Sequence, residues 1–168
     1  RLPTRSRFIQ FFGETSDELF QRCVTALRYR PDILVVGEVR GREVIALVRA
    51  MASGSGSATT FHASSPEEFE MAMRNLLPRD LYAMLSINTA LLIYITKLKV
   101  GSRVERKVQA VFERVGDGWR TIYDGESDEQ IFHSYIIRRI AKRLMIDDIE
   151  AELEKRSKML ENLERGYE

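Results

Sequence analysis

Apolar positions along the chain switch repeatedly between helical and strand spacing. Leu19, Cys23, Ala26 and Leu27 fall on one face of a helix that runs from the capping box Thr15-Ser16-Asp17-Glu18 to about Arg28, with Pro31 as its stop. Ile33 to Val36 is unbroken and β-branched, the pattern of a strand buried on both faces of a parallel sheet. Val44, Ile45, Leu47, Val48 and Met51 predict a second helix over 41–53, ended by Gly54. Ser55-Gly56-Ser57 then reads as a flexible link into a strand over 58–62. Ser65-Pro66-Glu67-Glu68 is another capping box, with Pro at the first helical position, and opens a helix to about Leu77. A short helix over 78–85, a strand over 87–97 and a hairpin of 108–115 with 119–123 about Gly116-Asp117-Gly118 complete this part.

From Asp128 the pattern becomes helical. Phe132, Tyr135, Ile136 and Ile140 line one helix. Ile146, Ile149, Leu153, Arg156, Leu160, Leu163 and Tyr167 recur at alternating spacings of three and four, a heptad seam interrupted by one arginine. Glu154 with Lys158 and Glu161 with Arg165 are i,i+4 pairs on the outer face of that helix. The change of character sets an expected boundary near Gly125, with an α/β core over 1–125 and a helical module over 126–168.

Composition narrows the class. With 44% hydrophobic and 30% charged residues, the chain has the make-up of a globular domain rather than a disordered segment. A net charge of +1 offers no global attraction to nucleic acid or an anionic surface. The single Cys23 excludes an internal disulfide and fits a reducing compartment. The longest apolar stretch, 90–95, is too short to span a bilayer. The first residue is Arg1 rather than Met, so an internal fragment or a processed product is expected.

The candidate chemistry lies at two strand ends. Arg30-Pro31-Asp32, four apolar residues, then Gly37-Glu38-Val39-Arg40-Gly41 place a carboxylate just past a buried strand. Open α/β sheets bind ligands at that end, and a carboxylate there can orient the water that attacks a phosphate. The plainer alternative is that Glu38 caps the helix opening at Gly41. His62, in Thr59-Thr60-Phe61-His62-Ala63, ends the next strand and could donate a hydrogen bond to a γ-phosphate, or be an ordinary structural histidine. With two histidines and no cysteine cluster, a metal site is not indicated. Arg5, Arg7, Arg28, Arg30 and Arg40 flank the site and could stabilise phosphate charge, or simply be surface charge. Arg138, Arg139, Lys142 and Arg143 form a basic run, read as a solvated face or subunit contact since no exposed aromatics are interleaved.

Residues 27–65 resemble the superfamily of secretion and pilus-motor ATPases. Leu27-Arg28-Tyr29-Arg30-Pro31-Asp32 followed by Val36-Gly37-Glu38-Val39-Arg40-Gly41 resembles its Walker B segment, with Gly-Glu in place of Asp-Glu. Thr59-Thr60-Phe61-His62-Ala63 resembles its histidine box, and Thr4-Arg5 the region where the family places nucleotide-facing arginines. The resemblance implies Glu38 as catalytic glutamate, His62 as γ-phosphate sensor, and Gly37, Arg5 and Arg40 beside the nucleotide. It implies ATP and Mg, the ion held through the nucleotide and reached by Glu38 through water. Ser134-Tyr135 into the basic helix and Glu152-Leu153-Glu154-Lys155-Arg156 resemble the end of archaeal members, including archaellum and pilus-assembly motors. Ser55 stands where the family usually has His, and no Gly-x-x-x-x-Gly-Lys-[Ser/Thr] phosphate loop occurs in the 168 residues.

The resemblance therefore implies a partial RecA-like P-loop core with a helical C-terminal module. That would be the C-terminal portion of a hexameric motor, cytoplasmic and peripheral to the membrane, acting on a membrane platform protein. Alone, without the phosphate loop, it would be inactive. The alternatives are a non-catalytic assembly module of such a machine and a conjugative or DNA-translocating ATPase. Nucleic-acid binding ranks behind the motor because the net charge is small.

Overall fold

The computed structural model describes residues 8–101 and 103–165. Arg5 and Arg7, and Tyr167 of the heptad seam, lie outside the described residues, as does the Arg165 side chain. The protein is α/β, and it divides into two compact units between Asn88 and Thr89.

The first unit runs α1 (Ser16–Arg28), β1 (Ile33–Val36), α2 (Glu43–Ala52), β2 (Gly56–Thr59), α3 (Pro66–Leu76) and α4 (Arg79–Asn88). Both expected capping residues act as such. Thr15 Oγ1 accepts from Glu18 N, and Ser65 Oγ accepts from Glu68 N, each at 3.2 Å. Glu18 reaches back to the N–H of Glu14 rather than that of Thr15. β1 and β2 pair in parallel, Ile33 opposite Gly56 and Val36 opposite Thr59. A parallel pair needs a crossover, and α2 supplies it. The core is built around α2, with Val44, Ala46, Leu47 and Val48 buried against Leu34 and Val36 of β1 and Met73 of α3.

Two expectations about the strands change. β1 is buried on one face: Leu34 and Val36 point inward, while Ile33 and Val35 are 65% and 67% exposed. Strand side chains alternate, and among the described residues one face of this two-stranded sheet is covered. β2 begins at Gly56 and ends at Thr59, so the expected link is largely strand, and Thr60 to Ala63 form the loop beyond it.

The second unit runs β3 (Leu91–Val100), β4 (Arg103–Val115), β5 (Gly118–Tyr123), α5 (Glu129–Phe132), α6 (Tyr135–Arg143) and α7 (Ile149–Arg165). The strands form one antiparallel sheet in the order β3-β4-β5. Ile87 belongs to α4, not to the strand expected from 87, and β4 starts at Arg103 rather than 108. That added length is exposed on both faces and mostly charged, so ladder hydrogen bonds rather than apolar burial sustain it. Ala110, Ile122, Ile136 and Ala141 are buried in this unit, and Glu113 and Ser134 are buried polar residues among them. Gly125, where the expected boundary falls, lies inside this unit between β5 and α5.

Along the seam of α7, Arg156 donates through Nε to Glu152 Oε1 at 2.9 Å and its side chain stays largely in solvent. Leu160 and Leu163 of that seam remain 63% and 40% exposed. Glu154 and Lys158 pair at 3.6 Å as expected. Among the described residues no helix is long and apolar enough to cross a membrane.

Gly125 has φ 93°, and a Cβ there would lie 2.9 Å from the carbonyl oxygen of Gln109. Gly125→Ala therefore combines a left-handed backbone with a clash against main chain. It should cost about 1–3 kcal/mol. Urea unfolding checks this, and an unchanged midpoint would show that the turn relaxes freely.

Candidate functional site

The C-terminal ends of β1 and β2 lie side by side because the strands are parallel and in register. The loops that leave them are laced together. Thr60 Oγ1 donates to the Gly37 carbonyl at 2.6 Å, and Val39 N donates to the Thr60 carbonyl at 3.0 Å. Val39 is 2% exposed and anchors the first loop in the core. Its neighbours Glu38 and Arg40 point to the opposite side, so both charged chains emerge together. In the second loop, Phe61 packs edge-on against Phe69 of α3 at 5.8 Å between ring centroids, which fixes the residue before His62.

These anchors bring three sequence-predicted residues to one point. Arg40 grips Glu38 with both ends of its guanidinium: Nε to Oε1 at 2.7 Å and Nη2 to Oε2 at 2.8 Å. His62 Nε2 lies 3.1 Å from Glu38 Oε1. The Glu38 side chain is 29% exposed, while Arg40 and His62 are 75% and 90% exposed, so the cluster faces solvent. Arg40 holds the Glu38 carboxyl below its ordinary 4.5. Partial desolvation opposes this, and the His62 charge adds to the lowering. Glu38 is thus ionised at neutral pH. A Cβ at Gly37 would meet no heavy atom within 4 Å, leaving the backbone beside Glu38 open to close approach by another molecule.

Other expected site residues are placed elsewhere. Arg28 and Arg30 precede β1 and so belong to the end of the strand away from Glu38. Ser55 is at that same end, its hydroxyl donating to the Pro31 carbonyl at 2.9 Å. Of the arginines expected to flank the site, Arg40 is the one brought to Glu38 among the described residues.

Sequence reasoning missed Glu43, Ser16 and Thr60. Glu43 is 1% exposed, and its carboxylate accepts from the N–H groups of Arg40 and Gly41 and from Ser16 Oγ. Burial pushes this carboxyl up, yet the bonds from Arg40 N, Ser16 Oγ and Gly41 N outweigh it, and it lies below 4.5. The available signal was an acid five residues after Glu38, opening a helix whose other residues are apolar except Arg49.

A family model described as type II/IV secretion system protein matches residues 14–156, most of the chain. The chain belongs to that family. It is 31% identical over 157 positions to an uncharacterised protein of Methanocaldococcus jannaschii, covering 82% of this chain and 56% of that one. It is 34% identical over 128 positions to a Mycobacterium tuberculosis protein named for conjugal transfer, covering 66% of this chain and 36% of the other. A second M. jannaschii protein, also uncharacterised, is 30% identical over 179 positions, covering 97% of this chain and 32% of its own length. The chain thus spans between about a third and just over half of these relatives.

Proposed function

We propose that the chain is the C-terminal part of a hexameric, ATP-hydrolysing motor of the secretion, pilus or archaellum type, built on a RecA-like core with a helical module after residue 125. The observation that carries this reading is the convergence of Glu38, Arg40 and His62 at the C-terminal ends of two parallel strands. Glu38 orients the attacking water, His62 meets the γ-phosphate, and Arg40 and Arg5 stabilise its charge. Gly37 lets the nucleotide approach the backbone. Arg40 takes one acceptor site on each Glu38 oxygen and His62 lies at Oε1, so Oε2 of this part-exposed carboxylate keeps a lone pair for a water. A phosphate competing for Arg40 and His62 would free further acceptor sites on Glu38.

The donor set fits Mg²⁺ held mainly by nucleotide oxygens. That ion prefers oxygen ligands and keeps its waters, and the cluster offers it one carboxylate, already partnered. Bound there, it would supply charge neutralisation, with Glu38 reaching it through water. In the cell such a motor would work at the cytoplasmic face of the membrane against a platform protein. Similarity to the protein named for conjugal transfer favours a second reading, a conjugative ATPase.

Calorimetric titration with Mg-ATP, paired with a turnover assay, tests the proposal. The full-length protein should bind saturably and hydrolyse, while the 168 residues alone, lacking the phosphate loop, should give no heat at millimolar nucleotide. Absence of hydrolysis in the full-length protein would overturn the motor reading.

A further inference from the structure

The loop that carries Glu38 and Arg40 has a second anchor. Glu43 opens α2, and its carboxylate also reaches back to donors that precede the helix. Its Oε1 accepts from Arg40 N and from Gly41 N, the latter at 2.8 Å, both of which precede the helix. Its Oε2 accepts from the hydroxyl of Ser16, the first residue of α1. That same hydroxyl accepts from Arg42 N at 2.9 Å. One buried carboxylate and one serine thus join the start of α1, the start of α2 and the turn between Glu38 and α2. Gly41 permits the approach, since a Cβ there would collide with Ser16 Oγ and lie 3.2 Å from Ser16 Cβ. Outside the lock, Arg42 pairs with Asp17 at 3.0 Å and lies over the ring of Phe20, so α1 holds the turn from the surface as well.

A buried carboxylate is costly unless fully hydrogen-bonded, and a simple helix cap needs only an exposed Ser or Asp. We propose that Ser16 and Glu43 are positioning residues for the Glu38–Arg40 pair. They set the backbone of Arg40, and with it the guanidinium on Glu38, and they couple that setting to the position of α1. A displacement of the start of α1 reaches Arg40 N through two hydrogen bonds. The inference rests on the hydrolytic reading above.

The test is Mg-ATP turnover by the full-length protein, counted per site titrated with a non-hydrolysable ATP analogue so that loss of folded protein does not pass for slower chemistry. Ser16→Ala removes the hydroxyl and changes no charge. Its kcat per site should fall about 10- to 100-fold, with KM for Mg-ATP within about threefold of wild type. Glu43→Ala should fall at least as far. Glu43→Gln keeps an oxygen for the two N–H groups and should recover most of the loss. Where Glu43→Ala does not fold, Ser16→Ala and Glu43→Gln decide the matter. Ser16→Ala within about twofold of wild-type kcat, or a change confined to KM, overturns the coupling. A wild-type protein without turnover would instead remove the hydrolytic reading, and the coupling with it.

Discussion

Glu38→Gln in the full-length protein should retain nucleotide binding and lose turnover by about 10²–10⁴-fold. The substitution keeps the size of the side chain and removes its charge. A glutamine offers Arg40 one acceptor in place of two and offers an attacking water a much weaker one. The binding contacts made by the rest of the site are untouched, so affinity for Mg-ATP should stay within a few-fold. The pH dependence follows from the same geometry. The folded-state pKa of Glu38 is lowered by Arg40, so the carboxylate is ionised above its ordinary 4.5 and protonates only as the pH falls through a lower value. Any loss of wild-type rate due to Glu38 should therefore appear below the usual carboxylate range. Turnover assays on the two proteins across pH, with analogue titrations alongside, measure both effects. Undiminished hydrolysis by the variant would remove Glu38 from the chemistry.

The parts of this site that were legible in the sequence are those written as local pattern. Apolar residues running into Gly37-Glu38 mark a strand end whatever the rest of the fold does, and Thr59 to His62 mark a second one. Parallel register between β1 and β2 then brings Glu38 and His62 together, a step the spacing alone does not contain. Arg40 was legible because a single residue separates it from Glu38, and alternation about that buried Val39 sends both chains the same way. Glu43 was not legible. Its partners come from α1 and from main chain, and a glutamate at a helix start ordinarily reads as a surface residue favourable to the dipole.

The fold shows the same division. Capping boxes at Thr15 and Ser65 placed α1 and α3 within a residue or so, because the chemistry of a cap is local. The extent of β4 did not follow from pattern, since residues 103–107 are mostly charged and exposed and are held by pairing with β3. The exposure of Ile33 and Val35 was equally invisible: four β-branched and aliphatic residues read the same whether one face is covered or two.

Glu113 carries the largest expected effect on stability. It lies on β4 opposite Arg120 of β5 and is 0% exposed. Its carboxylate accepts from Ser134 Oγ at 2.6 Å, from Tyr135 N and Ile136 N at 3.2 Å each, and pairs with Arg120. These are the opening donors of α6, where an anion is favoured by the free N–H groups. Arg120 donates in addition to the His133 carbonyl at 3.2 Å, closing the joint between sheet and helix. Glu113→Ala strands a buried hydroxyl, two N–H groups and a guanidinium at once. Removing one partner of a buried pair costs about 3–5 kcal/mol, and the 46% exposure of the Arg120 side chain puts the expectation near the lower figure. Glu113→Gln keeps the volume but turns an amide donor toward donors, and should cost about 1–3 kcal/mol. The wild type should also show an acid transition that Glu113→Ala lacks. Burial raises this carboxyl, but the bonds from Ser134, Ile136 N, Arg120 and Tyr135 N outweigh it and hold the folded-state pKa below 4.5. Its contribution is complete above the unfolded value and is lost as the pH falls through the folded one. Urea unfolding at neutral pH and at successively lower pH separates the two effects. An Ala variant within about 1 kcal/mol of wild type would mean that water replaces the carboxylate at the start of α6 and that the joint does not depend on it.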